Sequence, residues 1–301
     1  MKNYAIGYKK ETIGALTALS PFADWIVLCK PGIVGLVLVA AFAGMFVGGV
    51  TGLDALHVVF GLIGLGGATA GAAMLNNYID RDIDGLMERT SGRALARGAV
   101  SAEKVLIAGY VLVFLSLVLL YEFVNVAAAL TTAAGVFGYV ILYTLILKRR
   151  SAWANQVGGL AGAMPPVIGY AAATGTVDMT AAILFLIVAL WQQPHAISLA
   201  MIYREQYKKA GIPVIPVAKG IAASKTRIFV YTAFLGAASA LPYVIGMAGA
   251  FYMVSAMFLG AAFVLMSVLF LFSKKEKSPL VFAFSIVYLS VLFAALLADL
   301  V

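Results

Sequence analysis

Asn76, Asp80 and Asp84 recur every fourth residue at the end of a long apolar, glycine-rich run. On a helix they line one face in steps of roughly 6 Å. Two acids held this close repel one another, so the pattern makes sense if something cationic bridges them. Magnesium carrying a phosphate ester is the natural candidate, because it binds through one or two carboxylates plus substrate oxygens and keeps several waters. Arg89, Arg93 and Arg97 follow with the same spacing and opposite charge. Planar guanidinium groups hold phosphate or carboxylate oxygens through paired hydrogen bonds, so acids for a metal and arginines for an anion can act on one ester. Arg81 and Asp82 fall on the other side of such a helix and read as structural.

Two further groups could join this chemistry. Trp191-Gln192-Gln193-Pro194-His195 places an imidazole about two turns inside the inner boundary of an apolar run, just after a proline that frees backbone groups. An ionisable residue at that depth is either functional or a neutral ring hydrogen-bonded between helices. Lys148 and Arg149, after another run, could reach a diphosphate at the inner face, although such clusters are also ordinary topology signals. His57 beside Asp54 reads as interfacial.

These groups must be positioned by membrane helices. The chain is 63% hydrophobic and 11% charged, and its apolar runs match a bilayer core of about 30 Å. The runs are Ile33 to Val50, Leu56 to Leu75, Val105 to Leu120, Ala127 to Leu147, Val157 to Ala173, Ala181 to Ile202, Ile228 to Gly246, Phe251 to Phe272 and Leu280 to Val301. The expected fold is therefore an all-α integral membrane bundle of nine transmembrane helices. The third run and the Gly/Pro-rich fifth need extension or neighbours.

All 21 Lys and Arg lie in the N-terminal segment or in the loops after the second, fourth, sixth and eighth runs. The positive-inside rule then puts the N-terminus in the cytoplasm and the C-terminus outside. Basic loops beside anionic headgroups account for the net charge of +8, with no nucleic acid required. Residues 1–27 read as a cytoplasmic lead-in with an interfacial helix ending near Trp25, and 28–301 as one polytopic domain. A single cysteine, Cys29, excludes an internal disulfide. Glycines in the second and fifth runs read as packing faces that let helices approach closely.

The chain resembles the UbiA superfamily of intramembrane prenyltransferases. The resemblance rests on Lys30-Pro31, the Asn76 to Gly98 block, Tyr143 to Arg150 with Pro165-Pro166-Val167-Ile168-Gly169, Trp191 to His195, and Ala210 to Lys219. The Arg-Thr-x-x-Arg and Trp-x-x-Pro-His blocks point to its haem-prenylating branch. That resemblance implies a central cavity with the active site at its cytoplasmic side, in a prokaryotic cytoplasmic (inner) membrane. Asn76, Asp80 and Asp84 would hold Mg2+ and the diphosphate of farnesyl diphosphate, with Arg89, Arg93, Lys148 and Arg149 as anion partners. An allylic cation would develop on loss of diphosphate, steadied by an aromatic face such as Tyr143 or Tyr78. The acceptor would be a vinyl group of haem b, completed by water, with His195, Trp191 and Tyr207 on the acceptor side. A homo-oligomer or a haem-pathway partner stays open.

Two positions depart from the pattern. Gln206 stands where the branch typically has Asp, so a second metal contact there loses its charge, and Glu205 replaces it only if the helix register allows. Gly32 follows Lys30-Pro31 where Arg is common, which removes one anion-binding residue. Two other readings remain: a related prenyltransferase with another aromatic, tetrapyrrole or lipid acceptor, and a membrane transporter. Against the transporter stands the clustering of charge at one face, which leaves the outer half of the bundle almost without it.

Overall fold

In lipid each backbone polar group has to be satisfied within its own segment, so apolar runs become helices. The computed structural model describes residues 21–301. Its helices are α1 Pro21–Leu28, α2 Pro31–Val47, α3 Ala55–Asp84, α4 Ala102–Phe123, α5 Val126–Val136, α6 Ala154–Gly162, α7 Met164–Thr174, α8 Met179–Ile202, α9 Arg204–Lys209, α10 Ile215–Ala218, α11 Gly220–Ala238, α12 Leu241–Val244, α13 Ala250–Phe272 and α14 Pro279–Ala298. Among the described residues there is no strand, only an isolated bridge between Ala248 and Leu300. Leu36, Phe114, Phe258 and Phe272 are all more than 60% exposed, as expected of side chains that face lipid.

Among the described residues seven segments are long and apolar enough to cross a membrane, or eight if α1 and α2 form one bent span, and the third expected run does extend, to the 22 residues of α4. The first and fifth runs depart from the nine-helix expectation. The first is the 17-residue α2, bent by 44° against α1 across Cys29 and Lys30. The fifth is two short helices, α6 and α7, because Pro165 and Pro166 have no N–H to continue the preceding turn and instead begin a new one. The helix at Trp25 continues to Leu28. The rest of the expected lead-in, 1–20, lies outside the described residues.

Lipid offers little hydrophobic drive for helix association, so close backbone packing must supply it. A Cβ at Gly44 would stand 2.0 Å from the Pro166 carbonyl oxygen, and one at Gly169 would stand 1.8 Å from that of Ala41. Those two glycines let α2 and α7 touch backbone to backbone, with Gly44 in the first run, outside the two runs where packing glycines were expected. Capping residues start the neighbouring helices. The Ser101 hydroxyl accepts from the Lys104 amide, and the Asn125 side chain accepts from the Ala128 amide at 2.8 Å.

Besides a single 3₁₀ turn at Val50–Gly52, one long helical stretch is not α. From Phe137 to Leu147 the backbone bonds span five residues, with the Lys148 amide donating to the Tyr143 carbonyl at 2.8 Å. The Thr144 hydroxyl fills the wider turn by donating to the Tyr139 carbonyl at 2.8 Å. On an α-helix Lys148 would be turned about half a revolution from Tyr139. The wider turn brings Tyr139, Tyr143 and Lys148 to one face, where the site begins.

Candidate active site

The acidic face of α3 is buried at its C-terminal end, with Asn76 3%, Asp80 0% and Asp84 1% exposed. Asn76 is the hub. Its oxygen accepts from Lys30 Nζ at 2.7 Å, and its amide donates to Asp80 Oδ2 at 2.8 Å and Thr144 Oγ1 at 3.1 Å. Lys148 forms a close ion pair with Asp80, and Arg93 Nη1 pairs with Asp84 Oδ2 at 2.6 Å. The Arg-Thr-x-x-Arg loop gets there because the Thr90 hydroxyl donates to the Asp84 carbonyl at 2.8 Å, turning the chain back over the end of α3.

The second oxygens of both acids, Asp80 Oδ1 and Asp84 Oδ1, are buried with no partner. An orphaned buried carboxylate oxygen is costly unless something else satisfies it. Among the described residues no three His, Cys, Asp or Glu side chains converge into a ready-made ion cage. Two open carboxylate oxygens without such a cage suit magnesium that arrives with substrate oxygens and water of its own.

Two contiguous cavities meet at this face. A polar chamber of about 350 Å³ is bordered by Asn76, Asp84, Arg89, Arg93, Lys148 and His195, with Tyr143 and Tyr207 on its walls. An apolar cavity of about 290 Å³ runs beside α3 from Ala73 to Leu65, roughly 12 Å at 1.5 Å per residue. Lys30, Ile33, Tyr139, Gly158 and Gln192 border both and form the neck between them. Gly158 is needed there, since a Cβ would lie 2.7 Å from the Tyr143 ring. Tyr139 and Tyr143 stack with centroids 5.9 Å apart.

His195 borders the polar chamber, pinned between the rings of Trp191 and Phe282, each with its centroid at 4.8 Å. Its Nδ1 lies 2.9 Å from Ser285 Oγ.

Several expected site residues stand elsewhere. Arg149 turns outward and makes a bidentate pair with Asp82 at 2.6 and 2.7 Å, and that hydrogen bond pushes its guanidinium still further above its ordinary pKa. It borders neither cavity, because Lys148 takes the inward position and the next residue must face away. Trp191 donates its indole N–H to the Ser285 carbonyl and packs in the core, so it supports His195 without lining the chamber. Tyr78 lies under the Arg81 guanidinium, 4.2 Å from its centroid, and packs toward α1. Arg97 pairs with Asp24 on the surface. Asp80 is brought to the cluster but sits behind Asn76 and Lys148, off the chamber wall.

Gln206 does not face the acids. Its side-chain oxygen accepts from the Arg89 amide at 3.4 Å, which joins the loop after α3 to the segment after α8, while Glu205 is exposed beside Arg204. Lys30, Tyr139, Thr144 and Gln192 were not among the expected site residues. Gln192, Lys30 and Thr144 lay inside recognisable blocks, whereas Tyr139 carried no sequence signal because the five-residue turn hides its spacing.

The sequence profile of the UbiA prenyltransferase family matches residues 37–296. A protoheme IX farnesyltransferase of Aquifex aeolicus is 46% identical over 278 residues, 92% of this chain and 95% of its own. One from Nitrosococcus oceani is 42% identical over 284 residues, covering 94% and 95%. Among solved structures, a digeranylgeranylglyceryl phosphate synthase superposes with a TM-score of 0.80 over 92% of this chain and 97% of that one, at 19% identity. A UbiA homologue of Archaeoglobus fulgidus bound to GPP and Mg2+ superposes with a TM-score of 0.64 over 91% and 98%, also at 19% identity. These two show a shared fold.

Proposed function

The chain belongs to the UbiA prenyltransferase family, and we propose that it transfers a farnesyl group from farnesyl diphosphate to a vinyl group of haem b, giving haem O. The observation that carries this is the junction of a cationic, acid-bearing chamber with an apolar cavity at a tyrosine-lined neck. A prenyl diphosphate has that polarity. Its diphosphate suits Arg89, Arg93, Lys148 and Lys30, its chain suits the cavity beside α3, and its reacting carbon falls at Tyr139. The protoheme farnesyltransferase relatives, at 42–46% identity, support the haem acceptor over the other acceptors of the superfamily.

Asp80 and Asp84 would hold magnesium through their unpartnered Oδ1 atoms, with Asn76 contributing through its second lone pair, and the ion so held would supply charge neutralisation for the leaving diphosphate. Arg93 and Lys148 now spend their charge on the two acids. On substrate binding they turn to the phosphate oxygens, so the cluster exchanges internal ion pairs for contacts to the leaving group. The aromatic faces of Tyr139 and Tyr143 stabilise the allylic cation, and the surrounding apolar walls keep bulk water from it. His195 and Tyr207 face the acceptor.

The protein is an integral membrane protein. We place the site at the cytoplasmic side of an inner membrane, with the C-terminus outside, on the strength of the basic loops. The deciding experiment is incubation of purified protein with haem b, Mg2+ and donors of differing length. The expected result is a haem product heavier by a farnesyl group and a hydroxyl; no conversion of haem b would sink the assignment.

A further inference from the structure

We propose that His195 is the base that takes the proton from the water completing the transfer, and that Ser285 is the positioning residue that keeps its lone pair on the reacting side. This rests on the haem-prenylating function above. The Ser285 hydroxyl donates to the Phe282 carbonyl at 2.5 Å, so its oxygen accepts from His195 Nδ1–H at 2.9 Å. That hydrogen bond sets the tautomer and leaves the lone pair on Nε2. Both faces of the ring are covered by Trp191 and Phe282, and its Nδ1 edge by Ser285. The edge His195 offers to the chamber is therefore that of Nε2. Ser285 is fully buried and its carbonyl also anchors Trp191, so one residue of α14 holds both the ring and the aromatic stacked on it.

The other groups on the chamber wall are committed elsewhere. Arg89, Arg93 and Lys148 are cations, Lys30 donates to Asn76 and faces the diphosphate, and Asp84 pairs with Arg93 and would hold magnesium once substrate is bound. Gln192, one turn before His195 on α8, stands at the neck where the reacting carbon would lie and can hold a water by its amide.

The step balances as follows. Diphosphate leaves the first prenyl carbon with the bonding pair. The vinyl π pair forms the new C–C bond, and positive charge moves to the vinyl carbon next to the macrocycle. A water oxygen donates a lone pair to that carbon, one O–H bond breaks, and the proton passes to Nε2, leaving a neutral alcohol and an imidazolium that later releases its proton to solvent. Without a base for water, the same cation discharges by losing a C–H proton to the departed diphosphate. The product is then an alkene, lighter than the alcohol by one water.

The test uses full-length enzyme with haem b, farnesyl diphosphate and Mg2+, comparing the unsubstituted protein with His195→Ala, Ser285→Ala and Ser285→Thr. Diphosphate release, product masses and the visible spectrum of bound haem b are followed. The unsubstituted protein is expected to give the alcohol. His195→Ala should still release diphosphate but raise the alkene fraction at least tenfold; Ser285→Ala should raise it too, and Ser285→Thr should restore the alcohol. The haem spectrum should not change on His195→Ala. Alcohol in the unsubstituted proportion from His195→Ala overturns the proposal. So does a spectral change, which would give the lone pair to the haem iron, and so does a folded His195→Ala that releases no diphosphate, since the base acts after that step. If His195→Ala does not fold, the Ser285 pair decides in the same way. No haem product from the unsubstituted protein would overturn the haem-prenylating function, and this proposal with it.

Discussion

Lys30 Nζ donates to Asn76 Oδ1 at 2.7 Å, and it does so from a left-handed backbone with φ 51° and ψ 61°. It is the one non-glycine residue with positive φ among the described residues. That conformation costs roughly 1–2 kcal/mol for an L side chain. Such strain persists where the surroundings over-determine it and clusters at functional sites. Here the chain must turn between α1 and α2 while still placing an ammonium group at the neck of both cavities.

Lys30→Gly keeps this backbone and removes the ammonium. Stability should stay level or fall by about 1 kcal/mol, because relief of about 1–2 kcal/mol of positive-φ strain is offset by about 1–3 kcal/mol for the buried Asn76 oxygen that loses its donor. Diphosphate release should fall about 100-fold, the usual cost of one preorganised donor to developing charge. Thermal unfolding in detergent and a diphosphate assay separate the two effects; full turnover in the variant would remove Lys30 from the site.

Asp80→Asn neutralises the acid against which Lys148 is buried. Breaking one side of a buried pair typically costs about 3–5 kcal/mol, so a lower unfolding temperature and at least a 100-fold loss of turnover are expected. Chelation of divalent ions should stop the unsubstituted enzyme and added Mg2+ should restore it. Turnover that survives chelation would contradict the metal assignment.

Ala68→Leu fills part of the apolar cavity beside α3. The specificity constant for farnesyl diphosphate should fall about tenfold or more, with a smaller loss for the shorter geranyl donor, in line with about 1–3 kcal/mol for misfit of a small apolar group. Parallel assays with both donors measure the ratio. An unchanged ratio would place the prenyl chain elsewhere.

Arg149→Ala removes a residue whose partner, Asp82, is largely exposed. Surface pairs contribute about 0–1 kcal/mol, so both stability and kcat/KM should be nearly unchanged. A loss of diphosphate affinity comparable to that of Arg93→Ala would return Arg149 to the site.

Gly169→Ala forces a Cβ against the Ala41 carbonyl. Because the obstacle is backbone, the α2 and α7 contact must open, at about 1–3 kcal/mol or more. Reduced folded yield and a lower unfolding temperature by size-exclusion and thermal scans are the expected readout.

Much of the site was legible in the chain itself. The four-residue spacing of Asn76, Asp80 and Asp84 survives folding because local periodicity decides it, and helical runs in lipid have no alternative backbone structure; Arg89 and Arg93 reach the same chamber from turns beyond α3, where the Thr90 hydrogen bond brings the chain back. What local pattern cannot encode is which side chains neutralise which. Lys148 reaches Asp80 because the turn from Phe137 to Leu147 is wider than an α-turn, a choice settled by packing against α3 and α6 and one that also sends Arg149 outward. Trp191 and His195 are neighbours on one helix, yet Ser285, ninety residues on, holds the ring by its hydroxyl and the indole by its carbonyl. Gln206, conspicuous in the sequence as a missing acid, became a strap between two loops once they met. The residues that carry charge and their order are properties of the chain; their partners are properties of contacts between distant segments, where burial leaves each polar atom to find whatever the fold brings within reach.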